Sequence, residues 1–232
     1  GKEATRWLKK GRALLQRELG SQIRSDGTHV ENSPMYQLRI FSRLKLLAGT
    51  GDDLVTEVVA DVLSKMRKAQ EHLTHPDGEI ALLNDSAFGV YERPAIVPSS
   101  RGHSKGAFQL PGAGYYGYAD DEGDYVVCDV GRFGPDGQLA HAHGDVLSFE
   151  MSINSERIIT DSGLYSYEDD SMRKYVRSTA AHNTVEINGE DQGEFWKIFR
   201  VGRRPNVKMT QWEPNDSGFS LAGTHDGYSR LP

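Results

Sequence analysis

Residues 93–106, RPAIVPSSRGHSKG, divide the chain into two stretches of different periodicity. Two prolines, three serines and two glycines in fourteen positions read as a connection. Before it, apolar residues recur at helical spacing. Residues 5–23 carry Trp7, Leu8, Leu14, Leu15 and Leu19 with Lys and Arg between them. The polar run RSDGTHVENSP (24–34) then offers Asn32 or Ser33 as a helix cap and Pro34 for the first turn, where a missing N–H costs nothing. The helix so opened holds Tyr36, Leu38, Ile40, Phe41, Leu44 and Leu47 and stops at Gly49 and Gly51. A third is expected from Asp52 or Asp53 to about His72, ended by HPDG at 75–78.

After the connection the pattern is that of strands. Residues 115–119 and 125–130 flank DDEGD, and 146–153 and 157–160 flank Asn154–Glu156, both hairpin signals. Residues 184–187 lead into Asn188–Gly189, a favoured type I′ pair. Residues 195–201, 206–211 and 219–222 are further candidates. The expected fold is therefore α+β: helices over 1–92, a connection over 93–106 and an antiparallel β-sandwich of seven to nine short strands over 107–232. Two or three helices are few for an independent helical domain, and SRLP closes the chain just after a strand candidate. The sequence thus reads as a piece of a longer protein, incomplete at both ends.

Composition narrows the function. The chain has 232 residues, 37% hydrophobic and 26% charged, with a net charge of −6, enough for a core in one or two domains. No run approaches the roughly 18 apolar residues of a membrane span, and GKEATRWLKK lacks the apolar stretch of a signal peptide. The single cysteine, Cys128, excludes an internal disulfide and a Cys-based zinc finger. Residues 1–50 hold 10 basic against 4 acidic side chains, whereas 106–232 hold 11 against 20. A cationic lobe beside an acidic one suits an anionic ligand at the first, although basic solvated helix faces explain the count equally simply. Nothing points to nucleic acid.

The chemistry-bearing residues cluster in the second half. Were residues 140–149 extended, His141 and His143 of HAHGDVLSFE would share one face. His143, Asp161 of TDSG and His182 of AHNT make a two-imidazole, one-carboxylate set suited to Zn²⁺ or another divalent metal; solvent-facing strand histidines and a turn aspartate are the plain alternative. A cupin would place a glutamate three or four residues past the second histidine. Leu147 and Ser148 stand there and Glu150 lies too far along, which disfavours a metal oxidoreductase of that type. In the helical half, Arg39 follows Tyr36 at i+3, where a guanidinium would lower the phenol's pKa. A packing tyrosine beside a solvated arginine fits the same spacing.

Four segments, DGTHVENSPMYQ (26–37), HAHGDVLSFE (141–150), ITDSGLY (159–165) and RSTAAHNTVEINGEDQ (177–192), together resemble the heparinase II/III-like polysaccharide lyases. The resemblance covers about residues 26–200. It implies the end of an α/α toroid followed by an antiparallel β-sandwich, and β-elimination on a uronic-acid-containing polysaccharide of heparin, heparan sulfate or alginate type. Carried over, Tyr36 is the general acid, in some members also the base. His141 assists proton abstraction or charge neutralisation, and His143, Asp161 and His182 are the metal ligands, usually of zinc. Gln37 stands where several relatives have His, and with Arg39 it falls on the substrate side. Tyr165 and Tyr167 resemble the cleft aromatics after TDSG, without a choice between them. The family's Asn, or Asn–His pair, on the uronate carboxylate has no match here. A periplasmic or secreted location follows from the resemblance alone. A non-catalytic, metal-stabilised module that binds acidic glycans is the alternative function.

Overall fold

A computed structural model describes residues 1–91 and 105–232, so most of the expected connection lies outside the described residues. Three helices come first: α1 (Lys2–Gln22), α2 (Pro34–Ala48) and α3 (Asp53–His72). The caps are those the sequence offers, Ser33 accepting from Tyr36 N and Asp52 from Val55 N. Leu19, Phe41, Leu44, Val59 and Met66 bury one another where the three helices meet. None of the helices among the described residues is long and apolar enough to cross a membrane.

The second half opens with a five-stranded antiparallel meander, β1 (Gly106–Leu110), β2 (Tyr115–Ala119), β3 (Tyr125–Asp129), β4 (Phe149–Ile153) and β5 (Glu156–Ile159), paired in chain order. Helix α4 (Ser171–Arg177) and a single 3₁₀ turn (Thr179–Ala181) follow. Two hairpins close the chain, β6 (Phe195–Lys197) with β7 (Arg200–Val201) and β8 (Val207–Asn215) with β9 (Gly218–His225). The last hairpin packs on β1 and β2 and makes the second layer. The halves share a core: Ala69, Leu73, Ala81 and Leu83 pack against Phe108, Leu110, Tyr115, Tyr125 and Val127. A buried polar bridge crosses the same boundary. His75 Nδ1 lies 2.7 Å from Ser152 Oγ and its Nε2 3.2 Å from Glu150 Oε2.

Several sequence expectations require correction. Residues 140–148 are not extended, and β4 begins at Phe149 rather than Val146. A turn closes from Ser148 N to Asp145 O at 3.0 Å, with Leu147 at φ 63°. The carbonyls that a strand neighbour would have taken are held by side chains. Arg177 donates to Leu139 O and Ala142 O, Arg173 to Ala140 O, and Gln192 pairs with Val146 N and O. Residues 184–187 form no strand either; Asn188 and Gly189 turn as expected, at φ 56° and 71°, but only an isolated Ile187–Glu190 bridge flanks them. Strand β1 and helix α4 were not anticipated, and β8 and β9 run longer than their sequence signals.

Candidate functional site

Tyr36 stands in the first turn of α2, and the capping chemistry fixes it. Ser33 Oγ accepts from Tyr36 N at 3.2 Å while donating to Asp85 O at 2.7 Å, and Ser86 Oγ accepts from Met35 N. The loop before it is anchored by Gln37, whose Oε1 accepts from His29 N at 2.7 Å and whose Nε2 donates to Gly27 O and Met66 O. Gly27, at φ 84°, lies so close to α3 that a Cβ would sit 2.3 Å from the Lys65 carbonyl carbon. Gln37 is buried, and the structure uses it to tie the DGTH loop to α3; it does not face the Tyr36 phenol.

The Tyr36 ring stacks on His141, centroids 4.4 Å apart and 5° from parallel. Its hydroxyl is 2.8 Å from Tyr167 Oη. His141 Nδ1 is 3.0 Å from Glu31 Oε2. Burial would raise Glu31, but the His141 hydrogen bond and the neighbouring imidazoles hold it below the usual carboxylate range. An ionised carboxylate only accepts, so His141 Nδ1 donates to Glu31, and Nε2 is the ring nitrogen not engaged there. Burial pushes the Tyr36 phenol above its ordinary value, with Asp85, Tyr91 and Glu31 adding to it against the Tyr167 hydrogen bond. Of the two readings of the Tyr36–Arg39 spacing, the solvated arginine holds, and no lowering of the phenol by Arg39 is seen. Arg39 is exposed, and its guanidinium caps the Tyr91 ring at 5.4 Å. Of the two tyrosines left open by sequence, Tyr167 meets Tyr36, whereas Tyr165 is 71% exposed.

Beside this centre lies a buried imidazole pair. His143 and His182 have ring centroids 5.3 Å apart. His143 Nε2 is 2.7 Å from Asp85 Oδ1, and His182 Nδ1 is 2.9 Å from both Asp161 oxygens. The remaining ring nitrogens, His143 Nδ1 and His182 Nε2, are buried without a hydrogen-bond partner. Burial pulls His143 down; in His182 the Asp161 carboxylate outweighs burial and raises it. Among the described residues no three His, Cys, Asp or Glu side chains already form a closed metal cage. Two orphaned imidazole nitrogens, each on a ring oriented by a carboxylate, are nevertheless the donor chemistry a divalent metal takes, while Asp161 itself is engaged by His182 Nδ1 and Gly163 N. The residues fit such an ion.

Asp85 and Arg173 join the two groups, and neither was found from sequence. Both are fully buried. Arg173 binds Asp85 in a two-pronged pair, Nη1 to Oδ1 and Nη2 to Oδ2, the latter at 3.1 Å. Its guanidinium also lies 5.2 Å from the Tyr167 ring centre and 5.9 Å from that of Phe199. A continuous path thus runs from His143 through Asp85 and Arg173 to Tyr167 and Tyr36. SMRKYVR has the composition of an exposed helix, so nothing local marks its first arginine as buried. Glu31 was within reach, since it lies inside the DGTHVENSPMYQ segment.

Comparison with known proteins identifies the family of the chain. Residues 102–232 match the family model for the heparinase II/III-like C-terminal region, and residues 1–93 match that for the heparinase II/III N-terminus. A heparin-sulfate lyase of Bacteroides stercoris is 23% identical over 265 residues, which cover 99% of this chain and 37% of the relative. One of Pedobacter heparinus is 22% identical over 260 residues, covering 99% and 38%. A solved heparinase III gene product superposes with a TM-score of 0.77 at 19% identity, covering 98% of this chain and 39% of that one. The heparan sulfate lyase of Pedobacter heparinus gives 0.76 at 18%, with the same coverage. The chain therefore spans less than two-fifths of these relatives' length, and within that span its fold is the end of a helical toroid running into an antiparallel β-sandwich. With both family models matched in order along it, the chain belongs to the heparinase II/III-like family.

Proposed function

We propose that Tyr36 and His141 form the reactive centre of a polysaccharide lyase that cleaves an acidic, uronic-acid-containing polysaccharide by β-elimination. The observation that carries this reading is the parallel stack of the Tyr36 phenol on an imidazole whose Nδ1 is held by Glu31. The names of the relatives, heparin-sulfate and heparan sulfate lyases, supply the substrate class.

The C5 proton of a uronate is too weakly acidic for a side chain to remove unaided, so the reaction needs a base, relief of the carboxylate's charge and an acid for the departing oxygen. His141 Nε2 takes the C5 proton, and the electron pair becomes the C4–C5 double bond. The C4–O4 bond breaks, and Tyr36 gives its proton to O4. No water is consumed. Tyr167, donating to or accepting from the Tyr36 hydroxyl, holds the phenol in line; the Tyr36 phenolate regains a proton from solvent as the His141 imidazolium gives one up. A periplasmic or extracellular location belongs to the same proposal.

His143, His182 and Asp161 are the residues that would hold zinc or another divalent ion. Bound there, the ion would fix the 141–147 loop and with it the His141 ring. Elemental analysis of the purified chain is expected to give about one metal per molecule, lost on His143→Ala. Metal-free, folded protein would remove the ligand assignment and leave the family in place.

The activity test uses the product of the complete open reading frame with heparan sulfate and, separately, alginate. Ultraviolet absorbance of an unsaturated uronate is the expected result with one of them. Tight binding of both without that absorbance would replace the lyase by a glycan-binding module.

A further inference from the structure

We propose that residues 195–204, FWKIFRVGRR, form a distal subsite where Trp196 stacks a sugar ring and Lys197, Arg200 and Arg203 hold the anionic groups of an acidic glycan. This rests on the lyase reading for the identity of the polymer.

Three observations converge on it. Trp196 is 66% exposed, yet its indole is not loose. A Cβ on Gly202 would meet Trp196 Cε2, Cζ2 and Nε1 at 2.4–2.6 Å, so the ring lies against the bare glycine backbone across the hairpin. An indole that is held against the backbone and still largely exposed is suited to stacking on the C–H face of a pyranose.

The second observation is charge. The ten residues hold four basic side chains and no acidic one, in a half of the chain where acids outnumber bases 20 to 11. Arg204 pairs with Asp136. The side chains of Lys197, Arg200 and Arg203 are exposed and, among the described residues, form no ion pair, although Arg203 N donates to Glu194 Oε2 at 3.3 Å. An unneutralised cationic strip in an acidic half suits carboxylate and sulfate groups, which arginine can grip in two-pronged fashion.

The third is continuity with the reactive centre. Arg177 Nη1 donates to Lys197 O at 2.7 Å and Arg173 Nη2 to Ile198 O at 3.3 Å. At the hairpin's turn the Phe199 ring lies 5.8 Å from that of Tyr167, whose hydroxyl touches Tyr36. A polymer seated at Tyr36 would reach the hairpin through neighbouring sugars.

The test compares wild type, Trp196→Ala and the triple variant Lys197→Gln/Arg200→Gln/Arg203→Gln. KM for long heparan sulfate chains is expected to rise about tenfold in each, with kcat unchanged. Calorimetry with intact heparan sulfate runs in parallel, so that absence of turnover, which removes the lyase reading, still leaves the hairpin decided. An approximately tenfold loss of affinity supports the subsite, and weaker salt dependence is expected of the triple variant alone. Equal Kd for wild type and both variants, or equal binding of a neutral glucan, overturns it.

Discussion

Replacing Tyr36 by Phe is expected to lower kcat on the cleaved polysaccharide by about 10²–10⁴-fold, the usual contribution of a positioned acid or base, while the protein stays folded. The chemical loss is complete because phenylalanine has no proton for O4, and expelling an alkoxide without one is the harder half of the elimination. Structurally the loss is small. The hydroxyl makes one hydrogen bond, to Tyr167, worth about 0.5–1.5 kcal/mol, and phenylalanine keeps the stack on His141. Tyr167→Phe is the control: it breaks the same hydrogen bond but leaves the phenol, so its kcat should fall far less. The raised phenol pKa has a second consequence. A group raised in the folded protein stays protonated to higher pH, so the alkaline decline caused by losing the acid should lie above the ordinary tyrosine range. A kcat for Tyr36→Phe within a few-fold of wild type would remove Tyr36 from the chemistry.

What the sequence showed and what it hid divide along physical lines. The helices were legible because capping and 3.6-residue periodicity are local: Ser33, Pro34 and Asp52 act on their own next turn. The hairpin turns were legible because Asn and Gly tolerate positive φ. The HAH segment was misread because its alternation resembles a strand, while its backbone is satisfied from a distance by Arg173, Arg177 and Gln192. Such long-range satisfaction leaves no local periodicity. The loop sends the two histidines to different partners, His141 to Tyr36 and Glu31, His143 to Asp85 and His182. Tyr167 rather than Tyr165 could be chosen only once α2 and the 161–170 segment were brought together. Gln37, placed on the substrate side by its neighbour, holds backbone instead, because on a helix the side chain after a cleft residue points well away from it.

Arg173→Met is expected to be the most damaging single change to stability, by about 3–5 kcal/mol, because it strands a buried charge. Burial would raise the Asp85 carboxyl, and it is held below its usual value only by His143 and Arg173. Without the guanidinium, the carboxylate keeps, among the described residues, His143 as its side-chain hydrogen-bond partner, and Tyr167 loses the cation beside its ring. For a chain of this size the melting temperature should fall by roughly 6–20 °C. Arg177→Met is the informative comparison. Arg177 is also buried, but its partners are the carbonyls of Leu139, Ala142 and Lys197, and it pairs with no acid among the described residues. Its removal leaves neutral acceptors unpaired, at about 1–3 kcal/mol, so it should melt above Arg173→Met. Adding Asp85→Asn to each separates the mechanisms: it should recover part of the loss in Arg173→Met, where a stranded charge is the cause, and none in Arg177→Met. Equal melting of the two single variants, or no recovery with Asp85→Asn, would mean that Arg173 stabilises through the 140 loop and the hairpin carbonyls, and that the ion pair linking His143 to Tyr167 contributes little of its own.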